Sequence, residues 1–73
     1  MTKSDKIALK LLLWNFTETI SDVLTLPNSN RDFTDVIIHT HDLRGERTEH
    51  RYTLKIRYPD KELDEMLKGA IGK

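Results

Sequence analysis

The strongest constraint on this fold is that the first predicted helix carries two apolar stripes on nearly opposite faces. Residues of the first stripe recur at alternating four- and three-residue spacings, as on one face of an α-helix. Its members are Leu9, Leu13, Phe16, Ile20 and Val23, with Leu12 and Leu24 beside them. The second stripe consists of Ile7, Leu11 and Trp14. Because each residue turns an α-helix by about 100°, this stripe lies on the opposite side of the helix from Phe16 and Ile20. In a 73-residue chain little else remains to cover both stripes, so we expect a second helix or another chain to cover Trp14.

The composition favours a small domain that is stabilised by association. A domain of this size buries only about 60% of the surface that its unfolded chain exposes. Because the chain has no cysteine, neither a disulfide nor a cysteine-type zinc site stabilises it, and we expect a homodimer. The 12 basic and 12 acidic side chains cancel, which removes the bulk attraction of a typical nucleic-acid binder. With no signal-peptide pattern and no apolar run of membrane-spanning length, the expected location is cytoplasmic.

The pattern predicts one α+β domain over residues 1–73, with the element order αββα. A first helix over about residues 4–25 is stopped by Pro27, and a second helix, capped by Asp60, covers about residues 60–71. Between them, strands over about 33–42 and 47–58 form an antiparallel hairpin that turns at Gly45. We expect both helices to pack on one face of this two-stranded sheet. The first strand is apolar on both faces, so dimerisation through it would extend the sheet.

The leading functional hypothesis is a non-catalytic protein-binding module that acts as a regulator, adaptor or inhibitor. The sequence has no nucleophilic cysteine, glycine-rich phosphate loop or serine elbow, and we expect no enzyme activity and no cofactor. Ile7, Leu11 and Trp14 are the candidate protein-binding residues, for a second copy of the chain or for another protein, because tryptophan is enriched at binding hot spots. Coverage of Trp14 by the second helix is an equally good alternative. Compact chains without cysteine are found among bacterial and phage accessory proteins.

A nucleic-acid-binding regulator is the alternative function. The second strand alternates between an apolar face and a basic face, and Arg51, Lys55 and Arg57 on the basic face could contact phosphates. The same residues also fit an outer strand face that resists pairing with other chains. Double-stranded-RNA-binding domains share a helix, sheet, helix order. They need a third strand, for which this pattern leaves no room, so their function is not carried over.

Three histidines form a weak candidate for a metal site. His39 and His41 share a face of the first strand, and a hairpin turning at Arg44 and Gly45 sets His50 opposite His39. Such a geometry could hold zinc with an open position for water. A shift of one residue in register would move His50 to the other face, so a solvated or pH-sensitive hairpin end explains the same residues. We therefore predict no metal site.

Overall fold

The computed structural model describes residues 1–72 and shows an α+β fold in which two helices accompany a three-stranded antiparallel sheet. In chain order the elements are α1 (Lys3–Trp14), β1 (Thr19–Pro27), β2 (Thr34–His41), β3 (Arg47–Leu54) and α2 (Lys61–Gly69). The predicted order αββα is therefore wrong in one respect, because a third strand lies between α1 and β2. Neither helix within residues 1–72 is long and apolar enough to cross a bilayer.

The predicted first helix, residues 4–25, is in fact a helix followed by a strand. Thr2 caps α1, because its hydroxyl accepts a hydrogen bond from the amide of Asp5 while the Asp5 carboxylate accepts one from the amide of Thr2. The helix ends at Trp14, with Asn15 as its C-cap. The following segment contains several β-branched residues, which favour an extended backbone, and it pairs along β2. The 3.6-residue apolar spacing of this segment was misleading, since Ile20 and Val23 reach the core from a strand.

The sheet order is β1-β2-β3, so β2 is the central strand and pairs on both edges. This explains why β2 is apolar on both faces. Val36 and Ile38 are fully buried beneath the helices, and Ile37, on the opposite face, is 7% exposed. The expectation that this strand extends the sheet across a dimer is wrong, because β1 and β3 occupy both of its edges.

Both helices pack on the same face of the sheet and share one core with it. Leu9 of α1 and Leu63 and Leu67 of α2 belong to one buried cluster with Val36 and Ile38. The other face of the sheet carries no helix within residues 1–72. One layer of helices therefore covers one side of the sheet and leaves the opposite side open to solvent.

The turn and the second helix cap fall where the sequence predicts them. Gly45 adopts a φ of 81°, the left-handed conformation that a glycine at this turn allows. The Asp42 carboxylate accepts hydrogen bonds from the amides of Arg44 and Glu46 at 2.8 and 2.9 Å and holds the turn closed. Asp60 caps α2 by accepting from the amide of Leu63 at 2.9 Å. β3 ends at Leu54, earlier than the predicted end at about residue 58.

Candidate protein-binding surface

The second apolar stripe of α1 lies on the surface of the molecule. Ile7, Leu11 and Trp14 are 54, 62 and 88% exposed, and together they form the surface that we call the α1 ridge. α2 does not cover this ridge, which settles the open question of whether the second helix covers Trp14 in favour of exposure. Contiguous exposed apolar side chains on a small protein are characteristic of interaction sites.

A groove separates the two helices and runs beside the α1 ridge. The helices start at the same end of the fold, where Lys6 of α1 forms an ion pair with Glu62 of α2. Farther along, a volume of about 530 Å³ lies between them. The groove is lined by Lys10, Leu13, Trp14, Phe16, Glu18, Ile20, Glu65, Met66, Gly69 and Ala70. Most of this surface is apolar, so the groove continues the chemistry of the ridge.

Sequence reasoning missed most of the groove. The sequence analysis assigned Phe16 and Ile20 only to the first apolar stripe and identified no binding residue on the second helix, where Met66 and Ala70 line the groove. The groove exists because two helices far apart in the chain lie side by side on one sheet face. No local spacing in the sequence carries that information. Trp14 is the one predicted binding residue that also lines the groove.

Basic side chains border the ridge on the side of the groove. Lys3 and Lys10 are exposed, and each lies about one helical turn before a ridge residue, Lys3 before Ile7 and Lys10 before Trp14. Glu65 lines the opposite wall on α2. The surface therefore combines an apolar centre with a charged margin, which is the usual anatomy of a protein interface.

A buried polar bridge fixes the loop that joins α1 to β1. The hydroxyl of Thr40, which is fully buried, donates to the Glu18 carboxylate at 2.6 Å and lies 3.1 Å from Nε2 of His50. Because a hydroxyl carries one proton, His50 must be the donor in the second contact. Phe16 of the same loop packs edge-on against the His50 ring at 4.8 Å between centroids. These contacts tie the end of the groove to the sheet.

The three histidines do not converge. The β2–β3 register pairs His39 with Glu49 and Ile38 with His50, so His50 lies on the helix-covered face while His39 and His41 lie on the open face. The predicted pairing of His50 with His39 is wrong by one residue, and a shift of one residue changes the face. Within residues 1–72 no group of three metal-ligating side chains is placed to hold an ion.

His39 instead belongs to a charged ladder across the open sheet face. Its Nδ1 lies 3.7 Å from Asp22 on β1, and its Nε2 lies 3.1 Å from Glu49 on β3. Arg51 Nε donates to the other oxygen of Glu49 at 2.9 Å. Hydrogen bonds from Arg51 first and from His39 second lower the pKa of Glu49 from its ordinary value.

The predicted basic row is not a continuous strand face. Arg51 lies on β3 and is engaged by Glu49, whereas Lys55 and Arg57 follow the end of the strand. All three side chains are exposed. The row therefore offers three separated charges, and a carboxylate neutralises one of them.

Comparison of the chain with protein-family models, with curated proteins and with solved structures gives no match. A proposal for the function therefore depends on the surfaces that residues 1–72 present. Among them, the α1 ridge with its groove combines the largest exposed aromatic side chain with an adjoining apolar recess.

Proposed function

We propose that this chain is a non-catalytic protein-binding module that docks an amphipathic helix of a partner protein on the α1 ridge and in the adjoining groove. By occupying that helix it acts as a regulator, adaptor or inhibitor of the partner. The observation that carries the proposal is the exposure of Trp14, 88% of which is open to solvent beside an apolar recess. Leaving a tryptophan in water has a cost in free energy that a binding surface recovers on association.

The shape of the surface favours a helix as the bound segment. The residues of the ridge are spaced i, i+4 and i+7, so they form a straight apolar row along α1. A third helix lying along this row would contact the ridge with one side and the groove floor, Leu13 and Met66, with the other. Two helices that flank a groove accept a third by the same ridge-into-groove packing that joins helices inside proteins.

The charges beside the ridge indicate the chemistry of the partner helix. Lys3 and Lys10 are exposed on α1, while Lys6 between them is paired with Glu62. A partner helix with acidic residues on the flank that faces Lys3 and Lys10 would complement these two lysines, which form no ion pair within residues 1–72. Its other flank would face Glu65 of α2. Such rim charges contribute to specificity and association rate more than to affinity.

The arrangement of polar side chains supports a function without catalysis. The ladder of Asp22, His39, Glu49 and Arg51 lies on the open sheet face, where solvent screens each charge. Catalytic groups are normally gathered in concave sites that exclude water. The buried Thr40 hydroxyl is occupied by Glu18 and His50 and stabilises a loop.

The test is a selection of helical peptides against the wild-type chain from a displayed library that varies charge around an i, i+4, i+7 apolar stripe. We expect enrichment of peptides with acidic flanks. In titrations followed by the fluorescence anisotropy of a dye on the peptide, Trp14→Ala should weaken binding at least tenfold, since a central tryptophan typically contributes about 2 kcal/mol or more. Lys10→Glu should shift the preference toward basic flanks.

The matched control is Leu43→Ala, because Leu43 is fully exposed on the β2–β3 turn and belongs neither to the ridge nor to the lining of the groove. This variant should bind the selected peptides as the wild type does. If the peptides bind Trp14→Ala as tightly as wild type, or if Leu43→Ala weakens them equally, the ridge is not the binding surface and the proposal is wrong.

Nucleic-acid binding is the second candidate function, and the third strand favours it. With β1 present, the chain has the helix, three strands, helix order that resembles double-stranded-RNA-binding domains. Against this, the first turn of α2 is acidic, with Glu62 and Asp64, and acidic side chains repel phosphates. A salt-dependent shift of a labelled RNA or DNA duplex, lost when Lys55→Glu is combined with Arg57→Glu, would support this function. No shift at low salt would exclude it.

A further inference from the structure

The two edges of the sheet differ in how they are protected from pairing with another chain. The edge strand β1 has a bulge at Ser21, ends at Pro27 and has its Ile20 carbonyl engaged by the amide of Gly72 at 2.8 Å. Bulges, prolines and covering segments are the common protections of an edge strand. β3 pairs with β2 in an unbroken register and contains no proline from Arg47 to Leu54. Nothing in residues 1–72 covers its outer edge with backbone hydrogen bonds.

The charges on β3 are complementary to those of a second, antiparallel copy of the same strand. Arg47, Glu49, Arg51 and Thr53 alternate along its open face. If two copies pair with His50 opposite His50, each Glu49 faces the Arg51 of the other copy, and each Arg47 faces a Thr53. Opposite charges directly across an antiparallel pair stabilise it. Both copies contribute the same ion pair, as an isologous interface requires.

The charge pattern also selects this register over its neighbours. A shift of two residues in one direction places Arg51 against Arg51, and a shift of two in the other places Glu49 against Glu49. Like charges directly opposite each other are destabilising. Shifts of one residue would put the helices of the two copies on opposite faces of the joined sheet. The register centred on His50 keeps all helices on one face of the joined sheet. It also brings together the two recesses beside His50, each of which is lined by Leu12 and Phe16.

We propose that β3 is a self-association edge, along which two copies of this chain pair antiparallel with His50 at the dyad and form a six-stranded sheet. The charged ladder of each open face then continues from Asp22, His39 and Glu49 to the Arg51 of the other copy. The α1 ridge remains exposed in this dimer. The groove lies between α1 and α2, whereas the dyad passes through the β3 edge on the other side of α1. Self-association is therefore independent of the proposed partner binding on α1.

The first test is the dependence of oligomeric state on chain concentration, measured by sedimentation equilibrium. The wild type should dimerise reversibly, and Glu49→Arg and Arg51→Glu should each weaken the dimer at least tenfold. Arg47→Glu is the matched control, because it reverses an exposed charge on the same face of the same strand but faces Thr53 across the dyad. It should leave dimerisation within about threefold of wild type. Trp14→Ala should leave the dimer unchanged, which separates this test from that of the proposed function.

The decisive experiment mixes the two charge-reversed chains. The Glu49→Arg chain carries only positive charges at positions 49 and 51, and the Arg51→Glu chain carries only negative ones, so neither pairs with itself. Together they restore both cross-strand ion pairs, and native mass spectrometry should show a one-to-one heterodimer. The intrachain contact between Glu49 and Arg51 cannot explain this rescue, because it is broken in both chains.

Three results would overturn the proposal. The first is a wild-type chain that stays monomeric at millimolar concentration. The second is a dimer that Arg51→Glu and Arg47→Glu weaken equally, which would indicate general electrostatics. The third is the failure of two folded charge-reversed chains, verified by circular dichroism, to form a heterodimer on mixing.

Discussion

A pair of leucines two positions apart on α1 gives the sharpest test of the surface that we assign. Leu9 is 3% exposed and packs in the core, whereas Leu11 is 62% exposed on the α1 ridge. Changing each to alanine removes the same three carbon atoms from the same helix. Differences in helix propensity therefore cancel, and the two variants differ only in the surroundings of the deleted atoms.

The expected magnitudes follow from burial. At Leu9, three buried carbons at about 0.8 kcal/mol each, together with the cavity left behind, give a loss of about 3 kcal/mol. At Leu11 roughly two-fifths of that surface is covered, and no cavity forms at an exposed position. The loss should be about 1 kcal/mol, and the greater helix propensity of alanine, which reduces both losses by the same few tenths, does not change the difference between them. The two variants should thus differ in unfolding free energy by about 2 kcal/mol.

Urea unfolding followed by circular dichroism measures this difference, with all chains compared at one concentration because the proposed dimerisation would add to apparent stability. Equal losses in the two variants, or a larger loss at Leu11, would show that the ridge is covered within the chain. That result would refute the surface on which the proposed function depends.

Three further predictions concern single sites. Trp14 is the only tryptophan, so the fluorescence of the folded chain should resemble that of free tryptophan and be quenched readily by acrylamide; a blue-shifted, protected emission would contradict its exposure. The hydrogen bond from the amide of Leu63 lowers the pKa of Asp60, so the Asp60 carboxylate stabilises the fold above its unfolded pKa, and this contribution is lost as pH falls through its folded pKa. Acid titration should therefore show the free energy of unfolding declining below about pH 4, less steeply in Asp60→Asn than in the wild type. Thr40→Val should cost about 1–3 kcal/mol in thermal unfolding, because it leaves two polar partners of a buried hydroxyl unpaired, while the exposed Thr48→Val should cost little.

Local signals predicted the features that depend on a few neighbouring residues. The cap at Asp60 and the turn at Gly45 follow from side chains that satisfy nearby backbone groups or tolerate a positive φ. The alternation of Tyr52 and Leu54 with Arg51 and Thr53 correctly predicted the two faces of β3. The i, i+4, i+7 spacing of the α1 ridge was also readable, since α1 is helical over those residues.

The boundary between α1 and β1 could not be predicted by the apolar period. Phe16, Ile20 and Val23 continue a helical spacing, yet the chain leaves the helix at Asn15. A two-stranded hairpin is marginal in water, and β2 has a second edge whose backbone groups require partners. Pairing residues 19–27 with that edge satisfies those groups and still delivers Ile20 and Val23 to the core. The long-range gain outweighed the local preference.

The sequence by itself determined the composition of the surfaces, namely a second apolar row on α1 and a strand with one apolar and one charged face. It did so because residue spacing within one helix or strand sets which side chains share a face. Only the tertiary structure decided that Trp14 borders a groove and that β3 lies at an open edge. Those properties depend on which elements lie side by side, and that choice was made by the pairing of β1 with β2 and by the packing of two distant helices on one face of the sheet.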